Sequence, residues 1–413
     1  MTPDKAFDVE FCRGQFPVLE TGWVFMENAG GTLVPNQVVD RLGDFTTNYQ
    51  VQPDEWYGVS IAASERIGEG RAALASLINA DEDEIVVGPS TTSNVYVLSH
   101  ALAHLFKPGD EIIVTNQDHE ANNGSWRNLE RSGMVVREWQ MNAETDDLEI
   151  EDLKALLSER TRLVCFTHCS NVVGLVHDVK EIVRLVHNAG AWACVDGVAY
   201  TPHRRVDVKD LDVDFYLYSP YKVFGPHLGV LYGKRELLAK TTNQSHYFLT
   251  SDEIQRSLCP GGLNFELTAA CAGMAEYFDK VHEHHYPGAN VPEQQRLDQV
   301  FSLFADHESV LGQRIEAFLK TKPTVRIVGN GGSDRREHVG VYSFVVEDRD
   351  SQEVAKQLND AKIGVYASDF YAARCIDALG VREQNGVVRV SLAHYNSEED
   401  VDRLIERLDD IIH

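Results

Sequence analysis

The stretch "SPYKVFGPHLG", residues 219–229, places Lys222 just past a short aromatic run, "DFYLY" (214–218), and before a glycine–proline turn. An ordinary surface lysine needs no such setting. An amine held at the end of a buried strand is partly desolvated, which favours its neutral, nucleophilic form and suits it to a carbonyl. Upstream, Asp196 in "CVDGVAYTPH" directly follows small and apolar residues. A carboxylate there is costly unless a cation or a donor faces it. Ser90, Thr91 and Thr92 open an apolar-periodic helix, "GPSTTSNVYVLSHAL". Their N–H groups and hydroxyls can seat an anion, although Ser/Thr runs most often only cap. His119, in "TNQDHEANNGSW", and Asn171, in "THCSNVVG", each follow a strand-like run. Taken singly, they have ordinary roles as a packed ring and an Asx turn.

Together the five features match the demands of pyridoxal 5′-phosphate. That cofactor takes a lysine for its Schiff base and an acid that keeps its ring nitrogen protonated. It also takes a flat ring to stack on, a donor to its phenolic oxygen and a phosphate cradle. Lys222, Asp196, His119, Asn171 and Ser90–Thr92 answer these in order. Ser219 and Tyr221, flanking the lysine, add hydroxyl donors for the phosphate.

The elements that must carry these residues are legible as alternating apolar runs and amphipathic stretches. "DEIIVTN" (110–116), "RLVCFTH" (162–168) and "AWACVDG" (191–197) read as strands. Between the last two, "DVKEIVRLVHNAG" predicts a helix. Asp178 caps it, Glu181 stands at capping-box spacing, Val179, Ile182, Val183 and Val186 share a face, and Gly190 ends it. Strands alternating with helices predict an α/β fold with a mostly parallel sheet covered on both sides, whose ligand site lies at the carboxyl ends of the strands. From about residue 270 the pattern shifts to helices, "HVGVYSFVVED" and a closing helix, "SEEDVDRLIERLDDII". We read a large domain over 26–270 and a smaller α+β domain built from 1–25 and 271–413 with connecting helices.

With 413 residues, 43% hydrophobic, the chain can bury a substantial core. Its 38 basic and 64 acidic residues leave a formal charge of −26. Such a field repels phosphate backbones and anionic lipid, so nucleic acid and membrane are poor partners. No apolar run approaches the ~18 residues of a membrane span, and "MTPDKAFDVEFCRGQF" is too charged for a secretory signal. Seven cysteines without pairing or CxxC spacing fit a reduced cytoplasm. His282, His284 and His285 in "VHEHHYPG" lack Cys or Asp ligands at metal spacing, and read as a solvated face with no metal. No GxGxxG opens a helix after a strand, which sets aside a Rossmann dehydrogenase.

In order and spacing, "DHEAN", "SNVVG", "VDGVAYTPHRRVDV" and "SPYKVFGPHLGVLYG" resemble the class V aminotransferase superfamily, and within it the cysteine desulfurase-like proteins. The resemblance runs from "FMENAGGTLVPNQVV" to "RVSLAHYNSEEDVDRLI". It implies a fold-type I enzyme with a seven-stranded sheet domain, assembled as a homodimer and acting on a small-molecule amino acid. It further implies that Lys222 is the Schiff-base lysine, Asp196 the pyridinium partner and His119 the stacking ring. Asn171 then meets the phenolic oxygen, Val198 packs on the other ring face and Arg389 grips the substrate's α-carboxylate, a bidentate task suited to a guanidinium. Asn28 and Tyr371, with Trp56, Tyr57 and Phe370, are the residues it places around the substrate.

The pattern is broken in several places. Tyr371, in "VYASDFYAARCIDALG", stands about where a desulfurase carries its sulfur-attacking cysteine. Cys375 lies four residues on and reads as a core thiol. Ala199 replaces a glutamine, Tyr221 a histidine, and Gly262, in "PGGLNFE", a threonine. These departures favour β-elimination at a carbon–sulfur or carbon–selenium bond, which needs no cysteine. Transamination and epimerisation are the alternatives, followed by a persulfide-forming desulfurase and a non-catalytic scaffold.

Overall fold

The computed structural model describes residues 7–250, 253–329 and 337–412. In chain order its strands are β1 (Val24–Phe25), β2 (Ile85–Gly88), β3 (Glu111–Thr115), β4 (Val135–Trp139), β5 (Thr161–Thr167), β6 (Trp192–Asp196), β7 (Phe215–Tyr218) and β8 (Gly229–Gly233). After them come β9 (Val325–Val328), β10 (Val341–Val346), β11 (Ile363–Gly364), β12 (Tyr366–Ser368) and β13 (Val387–Ser391).

Seven strands form one sheet in the order β2-β8-β7-β6-β5-β3-β4. Only β8 runs against its neighbours; the rest are parallel. The central strands are apolar along their whole length because both faces are covered. Successive residues feed opposite cores, as the two-residue period requires. Val164, Phe166, Ala193, Val195, Tyr216 and Tyr218 enter one core. Leu163, Cys165, Cys194, Phe215 and Leu217 enter the other. The cysteines of β5 and β6 are therefore packing residues.

The helix predicted after β5 spans Val179–Asn188 and buries the four expected residues. Asp178 accepts from the Glu181 N–H, and Gly190 follows with φ +77°. The reciprocal half of the capping box is replaced: the Glu181 carboxylate takes Arg184 instead.

A second sheet, β12-β13-β10-β9, is antiparallel, and a parallel pair, β1-β11, lies beside it through a Glu27–Ser391 bridge. Val24 and Met26 thus share a core with Phe344, Val390 and Leu404. The helix Glu293–Leu319 joins the two bodies. Leu297, Val300, Phe301 and Phe304 enter the first core, that of Phe166 and Tyr218, and Leu311, Ile315 and Leu319 enter the core of the smaller sheet. The helix Ala272–His285 sends Met274, Tyr277 and Phe278 into the first core. Its histidines are not a solvated face. His282 and His285 are buried, and the three rings bond separately to Gln299, Asp8 and the Asp8 N–H. Among the described residues no helix is long and apolar enough to cross a membrane.

Candidate active site

The chain leaves β3, β5, β6 and β7 at one edge of the sheet, carrying His119, Asn171, Asp196 and Lys222 with it. Lys222 ends a single 3₁₀ turn, Pro220–Lys222, in which the proline fixes φ and the Lys222 N–H bonds to the Ser219 carbonyl at 3.0 Å. Thr32 clamps this turn from far away in sequence. Its N–H and hydroxyl both donate to the Tyr221 carbonyl, at 3.0 and 3.2 Å, and its hydroxyl accepts from the Phe224 N–H. Phe224 itself adopts φ +62° to complete the bend.

Lys222 and Asp196 line one cavity of about 410 Å³ together with His119, Asn171 and Val198. Ser90, Thr91, Thr92, Ser219, Tyr221 and Tyr371 complete its sequence-named wall. Burial lowers the Lys222 ammonium to about 8, with Arg389 adding to the fall and Asp196 and Glu27 opposing it. Burial likewise raises Asp196 to about 6, against the Val198 N–H at 2.9 Å and the lysine's charge. Burial holds His119 at about 3, assisted by the charges of Lys222 and Arg389, so the ring is neutral. Its Nδ1 accepts from the Ala121 N–H at 3.1 Å, which puts the proton on Nε2. Gly197 is required after Asp196 because a Cβ there would strike the Tyr216 ring and hydroxyl.

Ser90 caps the helix Thr91–Leu102, its Oγ accepting from the Ser93 N–H at 3.1 Å, and the Thr91 and Ser219 hydroxyls meet at 2.7 Å. The first-turn N–H groups of Thr91 and Thr92 have no intrahelical partner, so they and these hydroxyls could bind a phosphate. β8 approaches so closely here that a side chain on Gly229 would collide with the Ser90–Thr91 backbone.

Arg389, on β13, is buried beside the cavity. Burial depresses its guanidinium to about 10. It donates to the Asn171 carbonyl at 3.0 Å and meets Glu27 at 3.5 Å. Asn171 donates from Nδ2 to the Phe370 carbonyl at 3.0 Å. Arg389 Nε and Asn171 Oδ1 are buried without protein partners, which leaves both able to meet a polar ligand.

Four sequence-named residues lie elsewhere. Asn28 is consumed by structure: its amide donates to the Phe25 and Ser391 carbonyls and to Asn396, and its oxygen accepts from the Tyr395 hydroxyl. Trp56 is 98% exposed and Tyr57 half-exposed, both outside the cavity. Phe370 lies beneath Arg389 rather than in the wall. Cys375 is fully buried in the first core, which raises its thiol pKa. Sequence reading missed Thr32, Glu27 and His227. His227 lines the cavity edge-on to Tyr221 at 4.4 Å, and its position in "FGPHLG", five residues past the lysine, was the available signal.

The aminotransferase class-V family model matches residues 24–274 and 297–404. The chain belongs to the class V aminotransferase family. Its curated relatives include the aminotransferase-like protein FGM3 of Gibberella zeae, 35% identical over 99% of both chains. Another is the cysteine desulfurase-like protein ustD of Aspergillus flavus, 34% identical over 99% of this chain and 92% of that one. Among solved structures, the cysteine desulfurase CsdA of Escherichia coli superposes with a TM-score of 0.83 at 25% identity, covering 99% of this chain and 100% of that one. The architecture is thus that of the fold-type I enzymes, and this class V protein is a pyridoxal-phosphate-dependent enzyme of small-molecule amino acids.

Its residues fit the cofactor. The Lys222 amine makes no ion pair among the described residues, the helix N-terminus presents N–H groups and hydroxyls, and Asn171 Nδ2 spends one of its two N–H groups on the Phe370 carbonyl, leaving the other to donate. Lys222 could hold the aldehyde, Asp196 the ring nitrogen and Ser90, Thr91 and Ser219 the phosphate.

Proposed function

We propose that this enzyme is a cysteine desulfurase-like lyase that breaks a carbon–sulfur or carbon–selenium bond by β-elimination. The observation carrying this reading is that all seven cysteines are buried, while Tyr371, 76% exposed, occupies the mouth of the cavity. Cys169, the one thiol in the wall among the described residues, has its pKa driven up by burial. No thiolate is available to attack the substrate's sulfur.

Bound here, pyridoxal phosphate supplies an electron-poor ring that accepts charge from the substrate's α-carbon. Arg389 holds the α-carboxylate through its open Nε edge. The Lys222 amine, eased toward neutrality by burial, takes the Cα proton and becomes an ammonium. The electron pair of that bond forms the Cα–Cβ double bond as the Cβ–sulfur pair departs with the thiolate. Hydrolysis of the freed enamine then yields a 2-oxo acid and ammonia. Neutral His119 and Val198 would flank the cofactor ring, and Asp196 as a carboxylate would pair with its nitrogen. Transamination and epimerisation share the first proton transfer and differ in where the proton returns.

The protein is also proposed to be a cytoplasmic homodimer. Exposed Trp56, Tyr57, Tyr247 and Phe248 lie on segments that border a cleft of about 1220 Å³ away from the active-site cavity, a surface suited to a second copy.

The test is a panel of amino acids, with sulfide, selenide, pyruvate, alanine and ammonia measured together. Cysteine or a cysteine S-conjugate giving pyruvate and thiol in equal amounts supports the lyase. Alanine with sulfur bound to the protein overturns it and implicates Cys375.

A further inference from the structure

Arg389 is 2% exposed yet makes few bonds for a guanidinium with five N–H donors. One goes to the Asn171 carbonyl, one lies 3.5 Å from Glu27, and Nε has no partner. Hydrogen bonds alone do not hold this cation flat. The Phe370 ring does: its centroid lies 3.6 Å from Arg389 Cζ, a face-on stack. Stacking engages the guanidinium's π-face and uses none of its in-plane N–H groups, so the edge stays open for a carboxylate fork.

The same residue has a second grip. Its carbonyl accepts from Asn171 Nδ2 at 3.0 Å. That carbonyl is aimed by an unusual backbone, since Phe370 and Tyr371 sit consecutively at φ +51° and +57°. Bulky residues avoid this region, and strain of this kind persists only where neighbours enforce it. Here Ser368 Oγ accepts from the Phe370 N–H at 3.2 Å, Asp369 Oδ1 from the Tyr371 N–H at 3.0 Å, and the Tyr371 carbonyl from the Glu120 N–H at 2.7 Å.

We infer that Phe370 is a positioning residue that ties the seat of the substrate's carboxylate, through its ring on Arg389, to the seat of the cofactor's phenolic oxygen, through its carbonyl on Asn171. The inference rests on the roles proposed above for Arg389 and Asn171. Side-chain truncation removes the first grip and leaves the second, because the backbone carbonyl remains. Recognition of the carboxylate is therefore the property that depends on the ring.

The experiment uses the cofactor-loaded protein and its visible absorption band. The band is titrated with L-alanine and with ethylamine, the same amine lacking the carboxylate. Wild type favours alanine. Phe370→Leu lowers that preference by about tenfold, ethylamine affinity changes by less than about threefold, and Phe370→Tyr restores the preference. A leucine variant that keeps the wild-type preference overturns the inference. So does one that loses both ligands equally, since that marks a merely structural role. Phe370→Met, which keeps more of the side-chain volume, carries the same expectations if the leucine variant fails to fold. Absence of any band in the wild type sinks the proposed function instead, and this inference with it.

Discussion

Lys222 gives up its hydration without gaining an ion pair among the described residues, and its ammonium falls to about 8 as a result. Replacing it with alanine is expected to abolish the lysine-dependent visible band and to cut turnover by about 10²–10⁴-fold, the usual share of a positioned proton-transfer group. Stopped assays of pyruvate release check the second number. Cys375→Ser is expected to leave sulfide release within about twofold, because a thiol sealed in the core has no access to substrate. Asp118 shows a different use of burial. Its carboxyl accepts from Asn122 Nδ2 at 3.2 Å and touches the Thr115 hydroxyl, and burial, with Asp196 nearby, raises it to about 8. The folded chain therefore holds a proton there that the unfolded chain releases near its ordinary 3.8. Stability from this group is fully present below about pH 4 and is lost as pH rises toward 8, at about 1.4 kcal/mol per unit. Asp118→Asn is expected to melt increasingly above wild type over that window, as thermal scans of the cofactor-free protein from pH 5 to 9 would show. A flat difference across those scans would mean that Asp118 is ionised throughout. Lys222 and Asp196 were legible as single residues because their ionisable types conflict with apolar surroundings in the chain itself. Asn28 was not: its type serves equally in a site or in a network, and partners more than 360 residues away chose the network.

The strands and the Val179–Asn188 helix followed from local periodicity and capping, which act over a few residues. The close contact of β8 with the start of the Thr91–Leu102 helix did not, since it joins segments far apart in sequence. Gly229→Ala tests it. A methyl there collides with the Ser90–Thr91 backbone, so the helix start must shift and take its N–H groups with it. Affinity for pyridoxal phosphate is expected to fall by at least about tenfold, with a melting loss consistent with the ~1–3 kcal/mol of an overpacked site. Equilibrium binding by absorbance and thermal scans measure the two effects. The paired left-handed residues Phe370 and Tyr371 were equally hidden. Nothing in "SDFYAA" announces positive φ, because the usual signal, glycine, is missing.

One core of the large sheet meets the core of the smaller sheet along the helix Glu293–Leu319, and the cavity lies at the strand ends of one body with Arg389 arriving from the other. At a formal charge of −26, screening is expected to raise the melting temperature between low salt and ~0.2 M, where the Debye length drops below ~10 Å. The proposed dimer predicts twice the chain mass by light scattering. Replacing Trp56, Tyr247 and Phe248 together with serine is expected to shift it toward the monomer without loss of the folded core, since all three are exposed here. A wild-type mass equal to one chain would refute the dimer. Read as a linear chain, the protein already named an amine, a carboxylate, an anion seat and a parallel sheet to carry them, because each leaves a short-range mark in residue type and period. Folding alone settled which polar atoms stay open for a ligand. Arg389 and Asn171 keep unpaired atoms while Asn28 does not, and that depends on the pairing of β1 with β11 and the Glu27–Ser391 bridge to β13, contacts no local pattern encodes.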